Sequence, residues 1–152
     1  MQILVYFLIE DYSNYWIHRF LHSKWGYDKI HHVRHESNAP IALAAPYAHW
    51  AEILILGLPS FVGPALVPGH ILTYWLWFIL RQLEAIETHS GYNLSWGATK
   101  FIPFYGGAKY RDYHHYIGRE SKNNFASIFI YCDLIYETKG CWYHKSTIKK
   151  EI

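Results

Sequence analysis

Long apolar runs in this chain are punctuated by short histidine-bearing stretches, and the spacing of the two predicts helices. Residues 2–24 predict one helix. Asp11, Asn14 or Tyr15, His18 and His22 recur along it at steps of three and four, a polar stripe on an aromatic helix. Its start, MQILVYFLI, is apolar without a basic lead and runs straight into Glu10-Asp11. That reads as the stub of a longer hydrophobic helix rather than a cleavable signal peptide. Gly26 is expected to end the helix. A second helix, over about 28–37, carries His31, Arg34 and His35 on one face, and Pro40 closes it.

Residues 41–68 are apolar but broken by Pro46, Pro59, Pro64 and Pro68. A straight membrane span needs about 20 uninterrupted apolar residues, so this segment reads as a kinked or re-entrant hairpin. Residues 70–88 predict a long apolar helix whose polar end, Arg81, Glu84 and Glu87, leads into His89. Together the two segments are expected to cross a bilayer and return; the alternative is a pair of core helices in a soluble bundle. Residues 90–112 read as loop, with Gly106-Gly107 a turn and not a phosphate loop. A short helix then carries Asp112, His114 and His115, and residues 123–137 predict a last amphipathic helix. No repeat or second domain interrupts residues 1–152.

Composition sharpens this picture. Hydrophobic residues make up 51% and aromatics 19% of the 152 residues, with 7 Trp and 14 Tyr. Such residues concentrate where an apolar body meets a wet edge. Yet the mean hydropathy of −0.08 argues against a wholly lipid-embedded chain. A net charge of +2 directs nothing to nucleic acid. Cys132 and Cys141 lack C-x-x-C spacing and fit a reduced, cytosol-facing compartment. Lys149-Lys150, near the C-terminus, resembles a dilysine retrieval signal of endoplasmic-reticulum membrane proteins.

The chemistry lies in the histidines. Of 11, most fall in the groups His18/His22, His31/His32/His35, His89 and His114/His115. Neutral imidazole is the commonest protein ligand for transition metals, and helical spacing lets several converge on one ion. His32 sits about 100° round the helix from its neighbours and should point elsewhere. His49 reads as structural, His70 as a helix-start residue and His144 as solvated. Asp11, Glu36 and Asp112 could orient ligand rings, or could cap helices and face solvent. Tyr113 and Tyr116 read as packing residues that could also wall the site.

His18-Arg-Phe-Leu-His22, His31-His-Val-Arg-His35, Glu87-Thr-His89-Ser-Gly91 and Arg111-Asp-Tyr-His-His115 together resemble the histidine boxes of the fatty acid hydroxylase/sterol desaturase superfamily. The stretches EDYSNYWIHRFLHSKWGYDKIHHVRHE, APYAHWAEILILGLPSFVGPALVPGH, RQLEAIETHSGYN and KFIPFYGGAKYRDYHHYIG are similar to plant methylsterol monooxygenases, over nearly the whole chain. The resemblance implies an all-α fold: a membrane-associated helical bundle with a cytosolic histidine-rich cap, in the endoplasmic-reticulum membrane. It implies a single fatty acid hydroxylase-type domain over 1–152, with the family's N-terminal membrane helices missing. The implied activity is that of a di-iron monooxygenase. It would use O2, with electrons from cytochrome b5 and its reductase, to oxidise a methyl group at sterol C4. A sterol decarboxylase complex would take the product. The implied iron ligands are His18, His22, His31, His35, His89, His114 and His115. No catalytic residue beyond these is implied.

Two positions depart from the pattern. The boxes call for histidine at 34 and 111; this chain has Arg34 and Arg111. Arginine keeps its proton and cannot ligate iron. Three outcomes compete: an inactive copy, a centre holding one ion or two weakly, or arginines that swing away. Impaired catalysis is the favoured expectation. Rival readings are a non-catalytic membrane interaction protein and a hydroxylase of another lipid, such as a fatty aldehyde or fatty acid.

Overall fold

The computed structural model describes residues 1–36, 47–89 and 102–140. Pro40, the start of the apolar hairpin, residues 90–101, Cys141, His144 and Lys149-Lys150 lie outside the described residues. The described residues are mainly helical. In chain order they form α1 (Gln2–Leu21), α2 (Lys24–Lys29), a 3-10 turn (His31–Glu36), α3 (Trp50–Gly57), α4 (Pro59–Leu66), α5 (Ile71–Thr88), α6 (Gly107–Ile117), a second 3-10 turn (Gly118–Glu120) and α7 (Tyr131–Ile135). Among the described residues there is no strand, only one antiparallel bridge pair, Tyr105 with Phe129.

Helix α1 is the spine, and its polarity is inverted. It buries Tyr6, Glu10, Asp11, Asn14, Tyr15, His18 and Leu21. Leu4, Leu8, Tyr12, Trp16 and Phe20 face outward. The stripe read from the sequence is thus a buried face. The helix stops at Leu21 rather than 24, because Ser23 begins a new one: its Oγ accepts from the Gly26 backbone N–H at 3.2 Å. Gly26 therefore does not end α1. It sits inside α2 at a close approach, where a Cβ would lie 2.9 Å from the Leu21 backbone. The next histidine stretch is a 3-10 turn, not the expected α-helix over 28–37.

The proline-broken segment is two short helices joined at Leu58, which keeps right-handed helical angles. Pro59 opens α4, where its missing N–H is not needed. Helix α4 lies tight against α1: a Cβ on Gly63 would lie 2.9 Å from the Tyr6 Cα. The Tyr6 hydroxyl donates to the Val67 carbonyl at 2.7 Å, and Trp77 Nε1 of α5 donates to the Ser60 carbonyl at 2.9 Å. Helix α5 runs close to its expected 70–88 and starts at the His70 cap. Among the described residues no helix is long and apolar enough to cross a membrane.

The C-terminal segment differs most from expectation. Only Tyr131–Ile135 of the predicted 123–137 helix forms. Asp133 accepts from the Phe125 and Ala126 backbone N–H groups at 3.0 and 2.8 Å, and from the Tyr110 and Thr138 hydroxyls. Asp11 accepts from Ser127 and Ile128 N–H at 3.2 and 2.7 Å. Side-chain acceptors thus replace the helical ladder and hold this segment across α1 and α6. Helix α6 begins at Gly107, earlier than the expected loop end at 112, and Gly107 takes the positive φ of the turn.

Candidate metal centre

Three elements bring histidines to one point. Helix α1 presents His18 and His22 one turn apart, the 3-10 turn supplies His31 and His35, and α6 supplies His114. One nitrogen from each of these five lies within 4.8 Å of the others. The Nε2 atoms of His22 and His114 are 2.9 Å apart, those of His22 and His31 3.1 Å, and those of His31 and His35 3.1 Å. Imidazoles about 2.1 Å from one ion would stand about 3 Å apart as neighbours and about 4.2 Å apart as opposites. The close neighbours match that spacing, and the group could hold a metal ion.

Hydrogen bonds at the far side of the rings fix their orientation. A backbone carbonyl can only accept, so each ring facing one carries its proton on Nδ1. His18 Nδ1–H donates to the Phe125 carbonyl at 2.8 Å, and His114 Nδ1–H to the Asn123 carbonyl at 2.8 Å. His31 Nδ1 meets the Glu52 carboxylate at 3.0 Å. Two rings, His18 and His114, are thus held by hydrogen bonds with their Nε2 lone pairs turned inward, as metal ligands require, and the Glu52 carboxylate lies against the Nδ1 side of a third, His31. His18 Nε2 is buried with no partner.

Burial keeps the rings neutral. It is the first cause lowering His22 to about 3 and His31 and His35 to about 2, with His18 and His114 also well below the ordinary range. The Arg111 charge pushes each of them further in the same direction. Neutral imidazole is the form that ligates.

The other two expected ligands stand beside this nest. The His115 ring centroid is 4.8 Å from that of His35, and both its nitrogens are buried without a partner. His89 is 6.3 Å from His115, ring to ring. Its Nδ1–H donates to the Ala85 carbonyl at 2.8 Å, and its Nε2 accepts from the Arg34 guanidinium at 3.0 Å. The lone pair that a metal would need is therefore taken. Arg34 also reaches Glu52 at 3.5 Å. Arg111 is 8% exposed, and its Nη1 comes 3.4 Å from His18 Nδ1, which already donates elsewhere. Among the described residues no carboxylate lies within ion-pair reach of Arg111. Burial first, and then Arg34, draw it down to about 9, so it stays charged at neutral pH.

Of the candidate orienting carboxylates, Asp11 clamps the C-terminal backbone and Glu36 accepts from the exposed Tyr47 hydroxyl. Asp112 has a buried oxygen without a partner. The carboxylate that touches a ligand ring is Glu52, which the sequence reading passed over. It is fully buried on α3, amid an apolar run, and that is its only signal. His49 and His70 cap α3 and α5, each Nδ1 accepting a backbone N–H at 3.2 Å, and His32 is exposed.

Below the nest, Arg81 pairs with both Glu10 and Glu84. A cavity of about 260 Å³ opens there, lined by Arg34, Arg81, Glu84, His89 and Arg111 and by the apolar Ile53 and Leu56 among others.

The sequence model of fatty acid hydroxylases matches residues 3–138. The chain is 69% identical to a very-long-chain aldehyde decarbonylase of Oryza sativa subsp. japonica, over 95% of this chain and 48% of that protein. It is 66% identical to methylsterol monooxygenase 1-1 of Arabidopsis thaliana, over 98% of this chain and 50% of that protein. Methylsterol monooxygenase 2-2 of the same plant is 48% identical, over 98% of this chain and 56% of its own length. The chain spans about half the length of these curated relatives. No solved structure matches it.

Proposed function

The chain belongs to the fatty acid hydroxylase family, and on that premise we propose that it carries the metal centre of an O2-dependent, iron-using oxidoreductase acting on methylsterols at C4. One observation carries this reading: five imidazoles converge within 4.8 Å, and hydrogen bonds hold two of them, His18 and His114, with their lone pairs inward. Bound iron would supply the redox chemistry with O2 that oxidation of an unactivated C–H bond needs, which side chains lack. The chain's own residues do the rest. The Phe125 and Asn123 carbonyls and Glu52 orient the rings, and burial excludes water from the nest.

The donor set supports one ion rather than two. A second ion near His89 and His115 would compete with the Arg34 guanidinium and lie beside the charge of Arg111. We therefore read the chain as binding one iron, with oxidation impaired relative to a two-iron centre. The outward apolar side chains of α1, α3, α4 and α5 support a lipid surface, and with it a place at the endoplasmic-reticulum membrane. Electron supply from cytochrome b5 and transfer of product to a decarboxylase complex belong to the same reading. The names of the relatives divide between methylsterol and very-long-chain aldehyde. The sterol is favoured because, of four relatives 63–69% identical to the chain, three carry the methylsterol name and one the aldehyde name.

Iron content measured by elemental analysis tests the centre, comparing the parent with Arg34→His/Arg111→His. The expected result is close to one iron per chain in the parent and more in the double variant. A parent without iron, or with two, overturns the reading. Sterol profiles of a yeast strain lacking its C4-methyl oxidase, carrying either version, test the substrate.

A further inference from the structure

The most unusual charge in the molecule is Arg111. It is 8% exposed, lines the cavity below the nest and has no carboxylate within ion-pair reach among the described residues. Its hydrogen-bond neighbour among the described residues, His18 Nδ1 at 3.4 Å, is committed to donating to the Phe125 carbonyl and cannot accept. Arg34 lines the same cavity, and its Nε is buried with no partner. Buried cations are normally paired, so a guanidinium that lines a cavity without a carboxylate in reach is suited to receive an anion.

We infer that this cavity is a carboxylate site, in which Arg111 and Arg34 hold the head of an apolar-tailed monocarboxylate. Guanidinium presents a planar fork of N–H donors matched to a carboxylate's two oxygens. The volume, about 260 Å³, suits a head and the first carbons of a tail. Ile53 and Leu56 add apolar lining to the cavity, and Ile53 and its helical neighbour Leu54 continue outward as exposed apolar surface. Glu84 also lines the cavity and acts on Arg111 through its charge, as Glu52 does, but its carboxylate pairs with Arg81 and stands outside ion-pair reach of Arg111. The site uses residues outside the five-histidine nest and does not require a metal.

The test is calorimetric titration of the chelator-treated full chain, in nonionic detergent, with decanoate and with decanol. Decanol reports any general affinity of the apolar surface. Decanoate is expected to bind at least about tenfold tighter than decanol, the effect of one charge-assisted contact. Arg111→Met and Arg111→Gln are each expected to remove that advantage and leave decanol binding unchanged. Both variants delete an unpaired buried charge, and thermal melts confirm that each is folded. Equal binding of the two ligands to the parent overturns the proposal, as does full decanoate affinity in a folded Arg111 variant. Because metal-free protein is used, neither result depends on the iron reading.

Discussion

Glu52 shows how one residue can govern a site it does not enter. Its carboxylate, 0% exposed, meets His31 Nδ1 and the Arg34 guanidinium. Glu52→Gln keeps the volume but weakens the acceptor that fixes the His31 ring. Metal affinity, measured by competition with a chelator, is expected to fall about 10–100-fold. The histidines also set a response to acid. The folded chain holds His22, His31, His35 and His89 at about 3, 2, 2 and 3, whereas the unfolded chain protonates them near about 6.5. Between those values only the unfolded state takes up protons, so stability falls as pH drops through that window. Asp11, Glu52 and Glu84, raised to about 7, and Asp112, also raised, act with the opposite sign. Seven lowered histidines outnumber these four groups. Metal-free protein is therefore expected to melt at a lower temperature at pH 5 than at pH 7.5; an equal or higher value contradicts this balance. The histidine clusters were legible because their spacing is local. Glu52 was not, because its meaning lies in a contact between α3 and the 3-10 turn.

Between elements, the decisive contacts are those where backbones nearly touch. Gly63 of α4 lies against Tyr6 of α1 with no room for a Cβ. Gly63→Ala is expected to cost about 1–3 kcal/mol in a thermal or denaturant melt. Gly57, with nothing within 4 Å of a built Cβ, is the matched control, and its alanine variant should be neutral or slightly stabilising. Element boundaries were readable where periodicity ran long, as in α5 with its His70 cap. They failed where side chains rewrote the backbone. Ser23 opened α2 where Gly26 was expected to close α1. Asp133 and Asp11 drew backbone N–H groups out of the predicted terminal helix. The 3-10 form of His31–Glu36 has no periodic signal in six residues.

Over the described residues of the molecule, many polar groups lie inside and many large apolar ones outside. Glu10, Asp11, Asn14, six of the histidines (His18, His31, His35, His89, His114 and His115), Glu84 and Asp133 are inside, while Trp16, Phe20, Trp50, Leu58, Trp75 and Ile79 are outside. The sequence had announced both halves, an aromatic-rich chain with polar stripes, but not which side would face in. This arrangement has a calorimetric consequence. Exposing apolar surface raises the heat capacity on unfolding, and exposing polar surface lowers it. This chain already presents much of its apolar surface and would newly expose carboxylates, imidazoles and guanidinium groups. Its heat-capacity increment should lie below the ordinary value of about 12–15 cal/mol/K per residue. The dome of stability against temperature then flattens, and the fold should lose stability on cooling far less than a domain of the same length built around an apolar core.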